Sequence, residues 1–410
     1  MVHLEVITYY SLSSQERTWI NFMKRYFAAV GSWGFGPELK GLSIYQFNPD
    51  TADMTLLSTD YEKASIGALR YAGNQVLYFT EERGEKEGQV GGGGTLYAVR
   101  IDPDGRMQEI SRSDSLAAEP AYLAMDREER YLLAAHHADS GHVTQIVRAA
   151  DGSLHAQAML DDAALVLFQI LPDGRIGKAL DAVSHHGDVK DPDHAFSHLH
   201  SINASPDGHL FLACDAGLDR MDLYRIDDAA GRLVNIGTMH AEAGTAPRYA
   251  AFHPSGKWFF INHERRTEAT AYSFDESGRM AQISSCSLMP EGYQFDAHGN
   301  KVEAADLTIS RDGAHLYASV RGAETISVLS VDENGCISLQ QIISSGGINP
   351  RGLCLSPDGK FLLAAHMQSG TVEALPVHAD GSLGEARTVA SGHCPGVICI
   401  IEKQEETEHE

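Results

Sequence analysis

The chain is expected to be all-β, a seven-bladed β-propeller whose ring is closed by N- and C-terminal strands sharing one blade. Two observations carry that expectation: a strand unit that recurs along most of the 410 residues, and two chain ends that are each an incomplete unit. The unit is a short apolar strand, a P/D-G turn, a second apolar strand, a small polar loop, an alternating third strand and another D-x-x-G turn. Clear copies are "HSINASPDGHLFLACDAGLDRMDLYRID", "RYAAFHPSGKWFFINHERRTEATAYSFD", "DLTISRDGAHLYASVRGAETISVLSVD" and "RGLCLSPDGKFLLAAHMQSGTVEALPV". Repeats of about 45 to 55 residues with three or four short strands each are what propeller blades require.

In chain order, residues 1–24 are expected to be an N-terminal extension, 25–402 the propeller, and 403–410 an acidic solvated tail. The segment "RYFAAVGSWG…GLSIYQFNPD" has the outer strands of a blade without a first strand, and "SGHCPGVICII" near the C-terminus supplies a first strand without followers. Joined, they complete a seventh unit and leave no open edge. A copy spans about 69–102, and another begins "AYLAMDREERYLLAAHHADS" and resumes at "ALVLFQILPDG" after an insertion near 139–162. The run "GGGG" at 91–94 lacks the Lys-Ser/Thr of a phosphate loop and is expected to be a flexible connection. The PDG turns themselves need no function, because Asp tolerates left-handed geometry and Gly supplies positive φ.

Composition bounds the partners. With 43% hydrophobic residues, 21% charged and 39 glycines, the chain has the makeup of a large globular protein. Its formal net charge of −24 disfavours nucleic acid and anionic membrane, since phosphate backbones are held by basic stripes. A small anionic substrate remains compatible, because a few arginines in one cleft outweigh the average field locally. The six cysteines form no CxxC pair and are expected to be reduced. No signal peptide or run of 18 apolar residues is found, so the expected location is cytoplasmic. The sequence does not indicate an oligomeric state.

In an antiparallel meander the innermost strand crosses the ring and the second strand returns, so residues before first strands and after second strands share one channel mouth. Unusual polar residues stand there in successive units. Before first strands come His198 and His200, Arg248, Glu303 and Asp306, and Arg351; after second strands come Asp215 and Arg220, His263 and Glu264, Arg321, and His366. Arginines can fork onto a carboxylate or phosphate and stabilise an oxyanion, while His or Glu moves protons near neutral pH. The set suits hydrolysis or formation of an ester in a small acid.

Other candidates carry less. "SHHGDVKDPDHAFSHLH" offers His185, His186, Asp188, Asp191, Asp193, His194, His198 and His200 as metal-ligand types, but no fixed spacing such as HExxH, so no metal or other cofactor is expected. No G-x-S-x-G occurs, which gives a serine-hydrolase elbow no support.

With these motifs in place, residues 25–402 resemble the lactonase family of seven-bladed propellers, which includes bacterial 6-phosphogluconolactonase and carboxy-cis,cis-muconate cyclase. The resemblance is carried by "HLHSINASPDG", "CDAGLDRMDLYRID", "APRYAAFHPSGK", "SVRGAETISV" and "NPRGLCLSPDGKFLLAAH". It implies a catalytic set of His200, Arg248, Glu264 and Arg321, and their places at the channel mouth make His198, Arg220, Asp306, Arg351 and His366 the expected substrate-binding positions. The implied activity is hydrolysis of a small anionic sugar lactone, 6-phosphogluconolactone being one such substrate. The alternatives are a muconate-type lactonising cycloisomerase and a non-catalytic propeller that binds a metabolite or protein. The family's P-R-H reads Pro247, Arg248, Tyr249 here, and its Asn before the glutamate is His263. An expected glutamate is Asp306, and His194, Ala195 and Ser197 replace an Arg-Gln loop.

Overall fold

A computed structural model describes residues 4–5 and 21–407, apart from 35, 87–88, 139, 294, 297–298 and 300. Seven antiparallel four-stranded blades surround a central channel. From the channel outward, blade I is Pro395–Thr407, Asn21–Ser32, Leu42–Phe47 and Met54–Asp60, so both ends of the chain meet in it. Blade II is Ile66–Tyr71, Val76–Glu81, Thr95–Ile101 and Met107–Asp114; blade III is Pro120–Met125, Tyr131–His136, Ala163–Ile170 and Ile176–His185. Blade IV is Leu199–Ala204, Leu210–Asp215, Arg220–Asp227 and Arg232–His240; blade V is Pro247–Phe252, Trp258–His263, Glu268–Phe274 and Met280–Ser287. Blade VI is Glu303–Ile309, His315–Arg321, Thr325–Val331 and Ile337–Ser344; blade VII is Pro350–Leu355, Phe361–His366, Thr371–Pro376 and Arg387–Ser391.

The second strands are continuous apolar runs because each blade is covered on both faces by its neighbours. Seven apolar clusters fill the seven blade-to-blade interfaces, among them Leu212, Met221, Phe259 and Tyr272 between blades IV and V. The closure is as apolar as the rest, with Val30 and Tyr45 of blade I against Leu363 and Val372 of blade VII. The turn joining first to second strands is built the same way in several blades. In blade IV the Ser205 hydroxyl accepts the Leu210 amide at 3.0 Å, and Gly208 at φ 72° closes the loop. Ser356, Phe361 and Gly359 repeat it in blade VII.

The strand ladder runs past the boundaries expected at 25 and 402. Asn21 pairs with Thr407 and Lys24 with Gln404, because no proline or glycine interrupts either segment beyond the ring. Leu4–Glu5 adds a pair against Phe22 and Met23. The remaining expected extension and the last three residues of the expected tail lie outside the described residues. The insertion in blade III holds a two-stranded hairpin of its own, His142–Arg148 with Leu154–Leu160. The glycine run expected to be flexible is closely packed at its end: a Cβ on Gly93 would lie 2.0 Å from the Ala117 carbonyl oxygen, and on Gly94 2.0 Å from that of Glu81.

Every blade carries an irregularity of one extra residue at the start of its inner strand. In blade V, Pro247 pairs with His263 but Tyr249 with Asn262, leaving Arg248 opposite no residue. The same shift isolates His200 in blade IV, Arg351 in blade VII, Ala121 in blade III and Gly396 in blade I, and falls within Ile66–Leu69 and Ala304–Leu307 in blades II and VI. Bulges re-aim side chains, and here they form a ring of seven equivalent positions at one channel mouth. Bulge amides lost from the ladder are satisfied by side chains of the second strand: Asn262 accepts from the Tyr249 amide at 2.9 Å, and Thr80 from that of Ala68 at 3.0 Å.

Candidate active site

A second ring of equivalent positions lies at the ends of the second strands: Trp33, Glu82, His137, Ala216, Glu264, Arg321 and Met367, each one residue past the partner of the pair that precedes the bulge. The two rings together make the site. Arg248 is 1% exposed, gives one guanidinium nitrogen to the Ala305 carbonyl, and lies 4.5 Å over the ring of Tyr249. Its Nε is 3.7 Å from Glu264 Oε2. Glu264 Oε1 is paired with Arg321, whose same nitrogen is 3.0 Å from Glu303. One carboxylate therefore sits between two guanidinium groups from adjacent blades. The Nε atoms of both arginines are buried with no hydrogen-bond acceptor among the described residues.

His200 is 8% exposed, and its ring meets those of His137 and Tyr249 edge-on at 5.2 and 5.5 Å. Its Nδ1 is buried without a hydrogen-bond partner among the described residues. Burial first, then the charges of Arg248, His137 and Arg351, hold this imidazole well below its ordinary pKa, so it is neutral at physiological pH. For Glu264 burial opposes ionisation, but Arg248 and Arg321 outweigh it and hold the carboxyl below its usual range. Arg351 stacks 4.0 Å over Trp33, lies 3.9 Å from Glu82, and donates to the Gly396 carbonyl at 3.3 Å. Glu82 also accepts from the Trp33 indole at 2.8 Å, and burial pushes its pKa up. Below these groups a cavity of about 640 Å³ leads into the channel, lined in part by Tyr122, Tyr249, Asp306 and Arg351.

The structure thus brings together His200, Arg248, Glu264, Arg321 and Arg351. The other expected positions are differently employed. Arg220 begins the third strand of blade IV and donates to Asp222 at 2.7 Å, away from the two rings. His366 is the last residue of its strand, fully buried, with Gly347 packed over its ring and no hydrogen bond to either nitrogen among the described residues. Its equivalents His136 and His263 are also buried, bonded to the Ala164 carbonyl and the Thr270 hydroxyl. Asp306 lines the channel, but its oxygens accept the amides of Leu307 and Leu353, both at 2.7 Å, which ties blade VI to blade VII. His198 backs the site: its Nδ1 is 3.1 Å from the His137 carbonyl and its Nε2 3.1 Å from the Ser140 hydroxyl.

The acidic histidine-rich loop is spent internally. His185 bonds Asp215 and Tyr224, His186 bonds Asp162, and His194 bonds Asp191 and Asp219. Among the described residues no three His, Cys, Asp or Glu side chains are grouped to hold a metal ion. Sequence reasoning missed His137, Glu82 and Trp33. The position after the second strand, which flagged Glu264 and Arg321, would have found all three.

A family model described as lactonase, 7-bladed β-propeller, matches residues 28–401. The chain belongs to the seven-bladed propeller lactonase family. A Staphylococcus aureus protein of uncharacterised function is 26% identical over 339 residues, covering 81% of this chain and 87% of that one. Among solved structures, the periplasmic gluconolactonase of Pseudomonas aeruginosa superposes with a TM-score of 0.77 at 24% identity, covering 92% of this chain and 99% of that one. A putative 6-phosphogluconolactonase of Bacteroides fragilis does so with 0.73 at 22% identity, covering 92% and 98%. At these identities the solved structures speak for the fold. No helix among the described residues is long and apolar enough to cross a membrane.

Proposed function

We propose that this lactonase-family protein hydrolyses a small anionic sugar lactone at the mouth formed by His200, Arg248, Glu264 and Arg321. The observation that carries the reading is the carboxylate of Glu264 held between two guanidinium groups beside a neutral, partly unpartnered imidazole. Buried Nε donors of Arg248 and Arg321 that have no acceptor among the described residues suit an oxyanion, since preorganised donors cost no reorganisation as charge develops. Arg248 and Arg321 would polarise the lactone carbonyl. His200, uncharged and therefore able to accept a proton, would take one from the attacking water. Glu264, held ionised by both arginines, fixes their positions. Arg351 offers a third cation, for an acidic substituent on the sugar, a carboxylate or phosphate.

The test is base uptake by purified protein with glucono-1,5-lactone, 6-phosphogluconolactone and neutral lactones, each corrected for spontaneous hydrolysis. Faster turnover of the acidic lactone over its neutral counterpart supports the reading, and no acceleration of any lactone removes it. A muconate in the same panel, followed by its ultraviolet absorbance, separates hydrolysis from lactonisation.

A further inference from the structure

We propose that His137, backed by Glu119, is a further catalytic group of this site: the acid that protonates the lactone ring oxygen as it leaves. This rests on the lactone-hydrolysis reading above and assigns the one proton transfer that His200, Arg248, Glu264 and Arg321 leave open. Opening a sugar lactone breaks a bond to an alkoxide, a poor leaving group until it is protonated. Arg248 and Arg321 keep their protons, Glu264 is ionised between them, and His200 is neutral and faces the task of accepting a proton.

The geometry of His137 fits the missing role. It occupies the position in blade III that Glu264 and Arg321 hold in blades V and VI. Its Nδ1 lies 3.0 Å from the Ala138 carbonyl and 3.4 Å from Glu119 Oε2. Both are acceptors, so Nδ1 carries a hydrogen, and Nε2 is left with no hydrogen bond among the described residues in a side chain that is 30% exposed. The ring is clamped: it stacks on His198 at 4.4 Å and 18° and meets His200 edge-on at 5.2 Å. The His137 amide donates to the Glu119 carbonyl at 2.9 Å, so acid and partner are joined through backbone as well as side chain.

The charged and titratable groups around it favour the imidazolium. Glu119 faces it from the loop before the inner strand of blade III, Glu82 from blade II and Glu264 from blade V, while His198 and His200 of blade IV are both held toward the neutral form. Burial opposes protonation of His137, but the Glu119 carboxylate, the Ala138 carbonyl and Glu82 together outweigh it.

The step balances without a cofactor. Water adds to the carbonyl carbon as His200 takes one of its protons; the bond from carbon to ring oxygen then breaks, and its electron pair takes the proton from His137 Nε2. His200 returns its proton to solvent and His137 regains one, so lactone and water give the hydroxy acid.

A leaving-group comparison tests this. His137→Gln is expected to lose on the order of 10²–10⁴-fold in kcat with glucono-1,5-lactone, yet less than about tenfold with dihydrocoumarin, whose phenolate leaves without a general acid. Equal losses on both substrates, or none on either, overturn the proposal while leaving hydrolysis standing. If dihydrocoumarin is refused, the pH profile decides. An alkaline limb of kcat that Glu119→Gln moves down by about one unit or more and His137→Gln abolishes supports the acid role; unmoved limbs contradict it. A wild-type protein inert toward every lactone removes the parent reading and this one with it.

Discussion

Arg248 is a buried guanidinium whose Nε has no hydrogen-bond acceptor among the described residues and whose carboxylate neighbour is shared with Arg321. Such a group is costly to keep, which is intelligible if a substrate oxygen completes its bonding. Arg248→Ala is expected to lower kcat/KM by about 10²–10³-fold, the loss typical of one oxyanion donor, in assays on protein whose circular dichroism is unchanged. A rate within a few-fold of wild type would remove Arg248 from the reaction. The sequence disclosed Arg248, Glu264, Arg321 and His200 because strand-end positions converge whatever the side chains. It misled for His366 because the second-strand residue paired just before the bulge points into the blade wall, and only the next one reaches the mouth. One residue of register separates the two, and strand ends cannot be read from sequence that finely. The same uncertainty hid His137, which stands beside the wall residue His136 in "AAHHADS".

The bulge is the element that makes the site, since it turns His200, Arg248 and Arg351 from ladder positions into channel-mouth positions. Nothing in residue type marks it in advance: Ala121 and Gly396 occupy the same place without chemistry. The insertion was legible as an interruption of the repeat, but its hairpin was not, because both faces of "HVTQIVR" are exposed and apolar and polar residues do not sort between them. Ile146 is 80% exposed and Leu154 60%. An isolated two-stranded hairpin adds little to a domain's stability, so replacing 142–160 with a short Gly-Ser turn is expected to move Tm by no more than about 3 °C. A larger fall in calorimetry would mean that the hairpin packs on the propeller. Ending the chain after Cys394, by contrast, removes the inner strand of blade I and opens apolar edges on both sides. That variant is expected in the insoluble fraction, and a soluble, cooperatively folding product would contradict ring closure by the C-terminal strand.

At the scale of the whole molecule, seven interfaces of similar apolar character close one ring, and that periodicity is why the fold was readable from four clear repeats. Buried histidines set its response to acid. His136, His263 and His366 are pushed down to about 4 by burial, and His200 goes well below its ordinary value. Folded, they refuse protons that the unfolded chain binds below about pH 6.5, so their contribution is complete above that pH and lost as pH falls. Each costs about 1.4 kcal/mol per pH unit between its unfolded and folded values. Urea midpoints are expected to drop steeply from pH 6.5 to 4.5, and His366→Phe is expected to make that drop shallower. An identical slope in the variant would mean that His366 titrates normally. The arginine-clamped mouth is proposed to open a sugar lactone. The most direct measurement is base uptake with glucono-1,5-lactone and 6-phosphogluconolactone, comparing wild type and Arg248→Ala at equal folded concentration. The expected result is wild-type turnover well above the spontaneous rate, nearly abolished in the variant; no acceleration by wild type, or equal rates for the two proteins, would contradict it.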